Sequence, residues 1–157
     1  MKVLIVLAHA EPQSFNAAMY RTAIETLQAA GHTVETSDLY AMGFDPVSDR
    51  RNFTTTKNAE YFKQQVEEQH ASEVGGFAAE LESEMRKLEE ADLLILQFPL
   101  WWFSYVRQSL ARNAQPPPHG SGVNRRRVPA ILKGWFDRVL AIGRFYGGGK
   151  VRRRMKP

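Results

Sequence analysis

Residues 93–103, LLILQFPLWWF, and residues 128–140, VPAILKGWFDRVL, decide how this chain is to be read. The first opens as an apolar run of strand length and closes in an aromatic loop. The second opens on a proline and carries Ile131, Leu132, Trp135, Phe136, Val139 and Leu140 on one helical face. A strand covered on both faces reads as a continuous apolar run, because a parallel sheet is packed by helices on either side. Asp92–Gln97 is therefore predicted as a strand and Phe98–Phe103 as the loop at its carboxyl end. The stretch from Pro129 is predicted as a helix packing back over that strand, with proline in the first turn, where its missing N–H is tolerated.

Working outward, Lys2–Ala8 is a second apolar run of the same kind. The loop His9–Ser14 follows, and from Phe15 the residues Phe15, Met19, Ala23, Leu27 and Ala30 recur at helical spacing, with Ser14 as candidate N-cap and Gly31 as stop. Thr33–Leu39 reads as a further strand from its β-branched residues. Strand, helix, strand over about forty residues is a βαβ unit with a right-handed crossover, and such units bind ligands beyond the carboxyl ends of their strands. His9–Ser14 is thus already a candidate site. Tyr40–Thr56 lacks a period and reads as a long surface loop. Residues 58–70 read as a polar helix, and Gly75-Gly76 separates it from a helix with Phe77, Leu81, Met85, Leu88 and Ala91 on its core-facing stripe.

Residues 105–127 break this pattern with three consecutive prolines, a Gly-Ser-Gly and an Arg triplet. A segment so poor in apolar residues cannot offset its ordering entropy by burial, and disorder is expected there. The net charge of +4 is uneven: residues 105–127 hold five arginines and residues 144–157 six basic residues, neither with an acid, so the remainder is net acidic at −7. Nucleic-acid binding would rest wholly on these two segments, and no aromatic-interleaved RNA motif accompanies them, so no nucleic-acid partner is expected. No apolar run reaches the ~20 residues of a membrane span, and residues 2–8 are too short for a secretory leader, so no membrane partner is expected. The absence of cysteine removes disulfides and thiolate chemistry and agrees with a cytoplasmic location. Four scattered histidines, His9, His32, His70 and His119, lack metal-ligand spacing, and no metal is expected. One domain over 1–149, with the insertion at 105–127 and a basic tail at 150–157, is the expected organisation.

Four pieces, VLIVLAHAEPQSFN (3–16), SDLYAMGFDPV (37–47), LEEADLLILQFPLWWF (88–103) and VPAILKGWFDRVL (128–140), together resemble the flavin-dependent NAD(P)H:quinone oxidoreductases of the DT-diaphorase type. The resemblance implies an α/β, flavodoxin-like, doubly wound parallel sheet with strands in the order 2-1-3, strands 4 and 5 of the family being absent. It implies two-electron hydride transfer from NAD(P)H through bound flavin to a quinone. FAD is the implied cofactor, with FMN as alternative, and a homodimer is the implied assembly. By resemblance His9, Ser14, Phe15 and Asn16 hold the phosphate and ribityl part. Pro99, Leu100, Trp101, Trp102 and Phe103 lie along the flavin ring, and Trp102, Phe103, Phe145 and Tyr146 belong to the quinone and nicotinamide pocket. Read from residue type alone, His9 is a satisfied loop histidine and Phe15 a plain core residue.

Against the family pattern, Ser104 should join Val128 directly, and the chain stops at Pro157, before the later strands. Residues 105–127 and the tail after Gly149 therefore read as translated non-coding sequence, or the former as a lid or Arg-rich docking loop for the NADPH phosphate. A non-catalytic flavodoxin-like module acting through partner contacts is the competing function.

Overall fold

The computed structural model of the protein describes residues 1–100 and 128–147. The segments predicted as an insertion (105–127) and a basic tail (150–157), and the candidate residues Trp101, Trp102 and Phe103, lie outside the described residues. Strand β1 (Lys2–Leu7) leads to helix α1 (Phe15–Ala29), strand β2 (Thr33–Asp38), helices α2 (Gln64–Val74) and α3 (Ala79–Glu90), strand β3 (Leu93–Gln97) and helix α4 (Ala130–Val139). The strands form one parallel sheet in the order β2-β1-β3. This is the expected α/β arrangement, and β3 is an edge strand among the described residues. No helix among them is long and apolar enough to cross a membrane.

Alternation along β1 divides the molecule. Leu4, Val6 and Ala8 point into the main core with Leu39, Phe44, Ala71, Phe77, Leu81, Met85, Leu132, Trp135, Val139 and Ala141. Leu94 and Leu96, beside Leu4 and Val6 in register, pack against the same cluster. The stripes predicted for α3 and α4 are therefore the faces that are buried. Val3, Ile5 and Leu7 are buried outside that cluster, on the sheet's other face, where only Ala17 of α1 is buried with them. The stripe predicted for α1 is covered only in part: Ala23 and Leu27 are half-buried, but Phe15 is 78 % and Met19 45 % exposed. Reading Phe15 as a plain core residue is thereby corrected: at the first position of α1 its side chain is open to solvent.

Three local readings change. The helix expected at 58–70 begins at Gln64 and ends at Val74, where Gly75 takes the left-handed cap conformation at φ 72°. Pro129 is the N-cap of α4 and not its first helical residue, with extended backbone at φ −51°, ψ 144°. The segment 40–56 is irregular, as expected, but it is not merely a surface loop: Phe44 and Asn52 are buried. Its anchors are polar and distant in sequence. The buried Arg138 donates to the Asn52 side-chain Oδ1 at 2.8 Å and to the Asp45 backbone carbonyl, and its guanidinium lies 5.1 Å from the Phe44 ring centroid. The Glu67 carboxylate accepts from the Lys57 and Asn58 backbone N–H groups at 2.6 and 2.9 Å, which holds its carboxyl below the usual range. Helix α4 crosses this segment so closely that a Cβ on Gly134 would lie 2.4 Å from the Pro46 carbonyl oxygen. Glycine is required there for the approach of the two backbones.

Candidate functional site

The carboxyl ends of β1 and β3 are joined past their last paired residues by the Ala8 N–H, which donates to the Gln97 carbonyl at 2.9 Å. The chain then leaves β1 in a loop ordered by its own polar groups. The Glu11 N–H donates to His9 Nδ1 at 3.0 Å, the Gln13 N–H to the Glu11 carboxylate at 2.7 Å, and the Ser14 N–H to the Glu11 carbonyl at 3.1 Å. Arg21, from the second turn of α1, donates to the Pro12 carbonyl at 2.8 Å. With Nδ1 accepting, a neutral His9 carries its proton on Nε2, which has no acceptor among the described residues.

Helix α1 starts where this loop ends. Ser14 has extended backbone and its Oγ accepts from the Ala17 N–H at 3.1 Å, so the predicted N-cap is the observed one. Ser14→Ala should lower the unfolding free energy by about 1 kcal/mol, read as a shift of the urea midpoint at unchanged m. The Phe15 and Asn16 N–H groups, in the first turn, have no acceptor among the described residues. Asn16 Oδ1 accepts from Gln97 Nε2 at 2.7 Å, which leaves Asn16 Nδ2 as a further donor without an acceptor there. His9 Nε2, two backbone N–H groups and Asn16 Nδ2 thus share one end of the sheet. Donors of this kind at a helix N-terminus suit an anion, because unpaired N–H groups and the helix dipole act in the same sense.

Beyond Gln97 the chain passes Phe98, which packs against the core, to the half-buried Pro99 and to Leu100, 60 % exposed. His9, Ser14, Asn16 and the start of the 98–103 loop therefore meet at the carboxyl ends of two adjacent strands. Gln97 belongs with them and was missed from the sequence, where it reads only as the end of a strand. Its one signal is polarity within an otherwise apolar run.

Phe145 and Tyr146 do not join this group. Phe145 is half-buried against the main core and Tyr146 is exposed. Their turn is fixed to α2 and α3: the Ile142 N–H donates to Glu68 at 2.9 Å, Ser72 Oγ donates to the Ile142 carbonyl at 3.0 Å, and Arg144 spans Glu82 and Glu89 through four hydrogen bonds of 2.5 to 2.9 Å. Among the described residues, no hydrogen bond links either aromatic to His9, Ser14, Asn16 or Leu100. Arg144 holds the Glu82 carboxyl below its usual range, and the paired carboxylates raise the Arg144 guanidinium above its own. A lowered carboxyl stabilises the fold above its unfolded value, about 4.3, and that contribution is lost as pH falls through the folded value. Glu82→Gln should therefore be less stable than the parent chain at pH 7, by under about 1 kcal/mol because Glu82 is half exposed. The difference should close below about pH 4, as followed by thermal melts across pH.

Residues 1–106 match the flavodoxin-like fold family. The chain is 43 % identical over 143 residues to ribosyldihydronicotinamide dehydrogenase (quinone) of Rattus norvegicus, covering 90 % of this chain and 52 % of that protein. It is 43 % identical over 146 residues to NAD(P)H dehydrogenase (quinone) 1 of the same species, covering 92 % of this chain and 45 % of that protein. Among solved structures, an NAD(P)H:quinone oxidoreductase from Methanothermobacter marburgensis aligns at TM-score 0.61 and 29 % identity, covering 95 % of this chain and 57 % of its own. A Klebsiella pneumoniae protein aligns at TM-score 0.73 and 38 % identity, covering 92 % of this chain and 47 % of its own. The chain spans about half the length of the curated relatives it matches. With a parallel 2-1-3 sheet, its helices on both faces and a family match over most of its length, the chain belongs to the flavodoxin-like fold family.

Proposed function

We propose that the chain is part of a flavin-dependent NAD(P)H:quinone oxidoreductase and that its α1 N-terminus holds the flavin phosphate. The observation that carries this is the set of donors without acceptors among the described residues, His9 Nε2, the Phe15 and Asn16 N–H groups and Asn16 Nδ2, at the carboxyl ends of β1 and β3. A phosphate group fits them in charge and in donor type. Ser14 keeps the first turn closed around them by capping Ala17. The exposed Phe15 side chain covers apolar ligand surface beside the phosphate.

Pro99, Leu100, Trp101, Trp102 and Phe103 are the proposed contacts of the flavin ring, and Trp102 and Phe103 also those of the quinone and nicotinamide. A bound flavin would supply the two-electron chemistry between NAD(P)H and a quinone. The protein's part is to anchor the phosphate, orient the ring and shield it from water. FAD is the proposed flavin, and the cytoplasm the proposed location. Phe145 and Tyr146 remain the proposed contacts of the quinone and nicotinamide pocket, and a homodimer is the proposed assembly.

Purified chain incubated with FAD and desalted should remain yellow and should oxidise NADPH only when a quinone is supplied, with parallel double-reciprocal plots as each substrate is varied. A sample that retains no flavin and shows no quinone-dependent NADPH loss would exclude the enzyme reading and favour a non-catalytic flavodoxin-like module.

A further inference from the structure

Gln97 occupies a position where an apolar residue would serve the fold equally well. In register it lies beside Leu7, and it shares a sheet face with Val3, Ile5, Leu93 and Ile95. It instead spends its amide on a single long-range contact, Nε2 donating to Asn16 Oδ1 at 2.7 Å across 81 positions of sequence.

We propose that Gln97 is a positioning residue for phosphate binding: it fixes the Asn16 carboxamide with its carbonyl turned to β3 and its Nδ2 donor left for the ligand. The proposal rests on reading the α1 N-terminus as a phosphate site. A carboxamide has an acceptor end and a donor end, and free rotation about its last torsion presents either. An anion binds the Nδ2 end and is repelled by Oδ1. Occupying Oδ1 from β3 selects the productive orientation before the ligand arrives, so the ordering is not charged against binding. The same bond ties the first turn of α1 to the end of β3, next to Phe98, Pro99 and Leu100.

The test compares FMN with riboflavin, which lacks the phosphate, by quenching of flavin fluorescence on the full chain. Native protein should bind FMN more tightly than riboflavin. Gln97→Met, close in shape but unable to donate, should weaken FMN by about 5- to 10-fold, the worth of one hydrogen bond, and leave riboflavin unchanged. Gln97→Glu should weaken FMN further, because a carboxylate accepts from Nδ2, turns the Asn16 carbonyl outward and adds a negative charge. Asn16→Ala combined with Gln97→Met should bind FMN no more weakly than Asn16→Ala alone, since the two act as a unit.

Equal losses for FMN and riboflavin in Gln97→Met would show a merely structural role and overturn the proposal. So would an unchanged FMN affinity, or additive losses in the double variant. Native protein that binds FMN no better than riboflavin would overturn the phosphate site itself and the proposal with it.

Discussion

Trp135→Ala is expected to lower the unfolding free energy by about 4 to 5 kcal/mol, seen by far-ultraviolet circular dichroism as a large fall in the urea midpoint at unchanged m. Trp135 is fully buried in the main core, where it packs edge-on against Phe136 with ring centroids 5.6 Å apart. Its removal leaves a cavity under β1 and also strips a partner from a buried charge. The indole Nε1 donates to Glu84 Oε2 at 2.9 Å, and Glu84 is 1 % exposed. Lys87 meets the other carboxylate oxygen at 2.6 Å and reaches on to the Thr36 carbonyl and the Ser37 hydroxyl of β2. Trp135→Phe separates the two losses. It keeps most of the volume and forfeits the hydrogen bond, and about 1 to 3 kcal/mol is expected. Against the about 5 to 15 kcal/mol total of a domain of this kind, the alanine variant loses between about a third and nearly all of its stability.

Arg138→Met should cost about 3 to 5 kcal/mol, despite keeping an unbranched side chain of similar reach. The guanidinium is 3 % exposed and serves three acceptors, Asn52 Oδ1, the Asp45 carbonyl and Glu80. Without it, two acceptors of the irregular segment are stranded, Asn52 itself being 1 % exposed. Arg138→Lys should not rescue, because a single ammonium cannot match the forked geometry. Glu80→Gln provides the contrast: its carboxylate is half exposed, and under about 1 kcal/mol should be lost. Limited proteolysis should find new cleavage between residues 44 and 63 in Arg138→Met and not in Glu80→Gln.

These two residues also explain how much was legible in the sequence. The strands could be read because Lys2–Leu7 and Leu93–Gln97 are continuous apolar runs, and α3 and α4 because their stripes repeat at helical spacing. Segment 40–63 could not. What orders it is Arg138, Arg50 and Glu67, single polar side chains that reach backbone groups of the segment and, for Arg138, the Asn52 side chain, and such contacts leave no period. Charge on an amphipathic helix ordinarily means a solvated face, so Arg138 gave no hint that it was buried. Helix α1 shows the opposite failure. Phe15 and Met19 keep the spacing of a core stripe yet remain exposed, because the spacing records which face is apolar and not what covers it.

At the site, the loop after β1 was legible from topology alone, since parallel sheets gather ligands at strand carboxyl ends. Ser14 was legible as a cap from its type and place. The proposed roles of His9 and Asn16 came only with the family resemblance, because one histidine in a loop and one asparagine at a helix start have many ordinary uses. The pairing of Asn16 with Gln97 lay beyond both readings, as it depends on the parallel register that sets β3 beside β1.

Isothermal titration of the full chain with FAD, with Asn16→Asp as the comparison, asks whether the first turn of α1 receives the phosphate of a flavin, as proposed. One FAD per chain is expected, and at least a tenfold weaker affinity for Asn16→Asp, whose carboxylate replaces an outward donor with a negative charge. Absence of heat at one FAD per chain, or equal affinity in the two proteins, would contradict it.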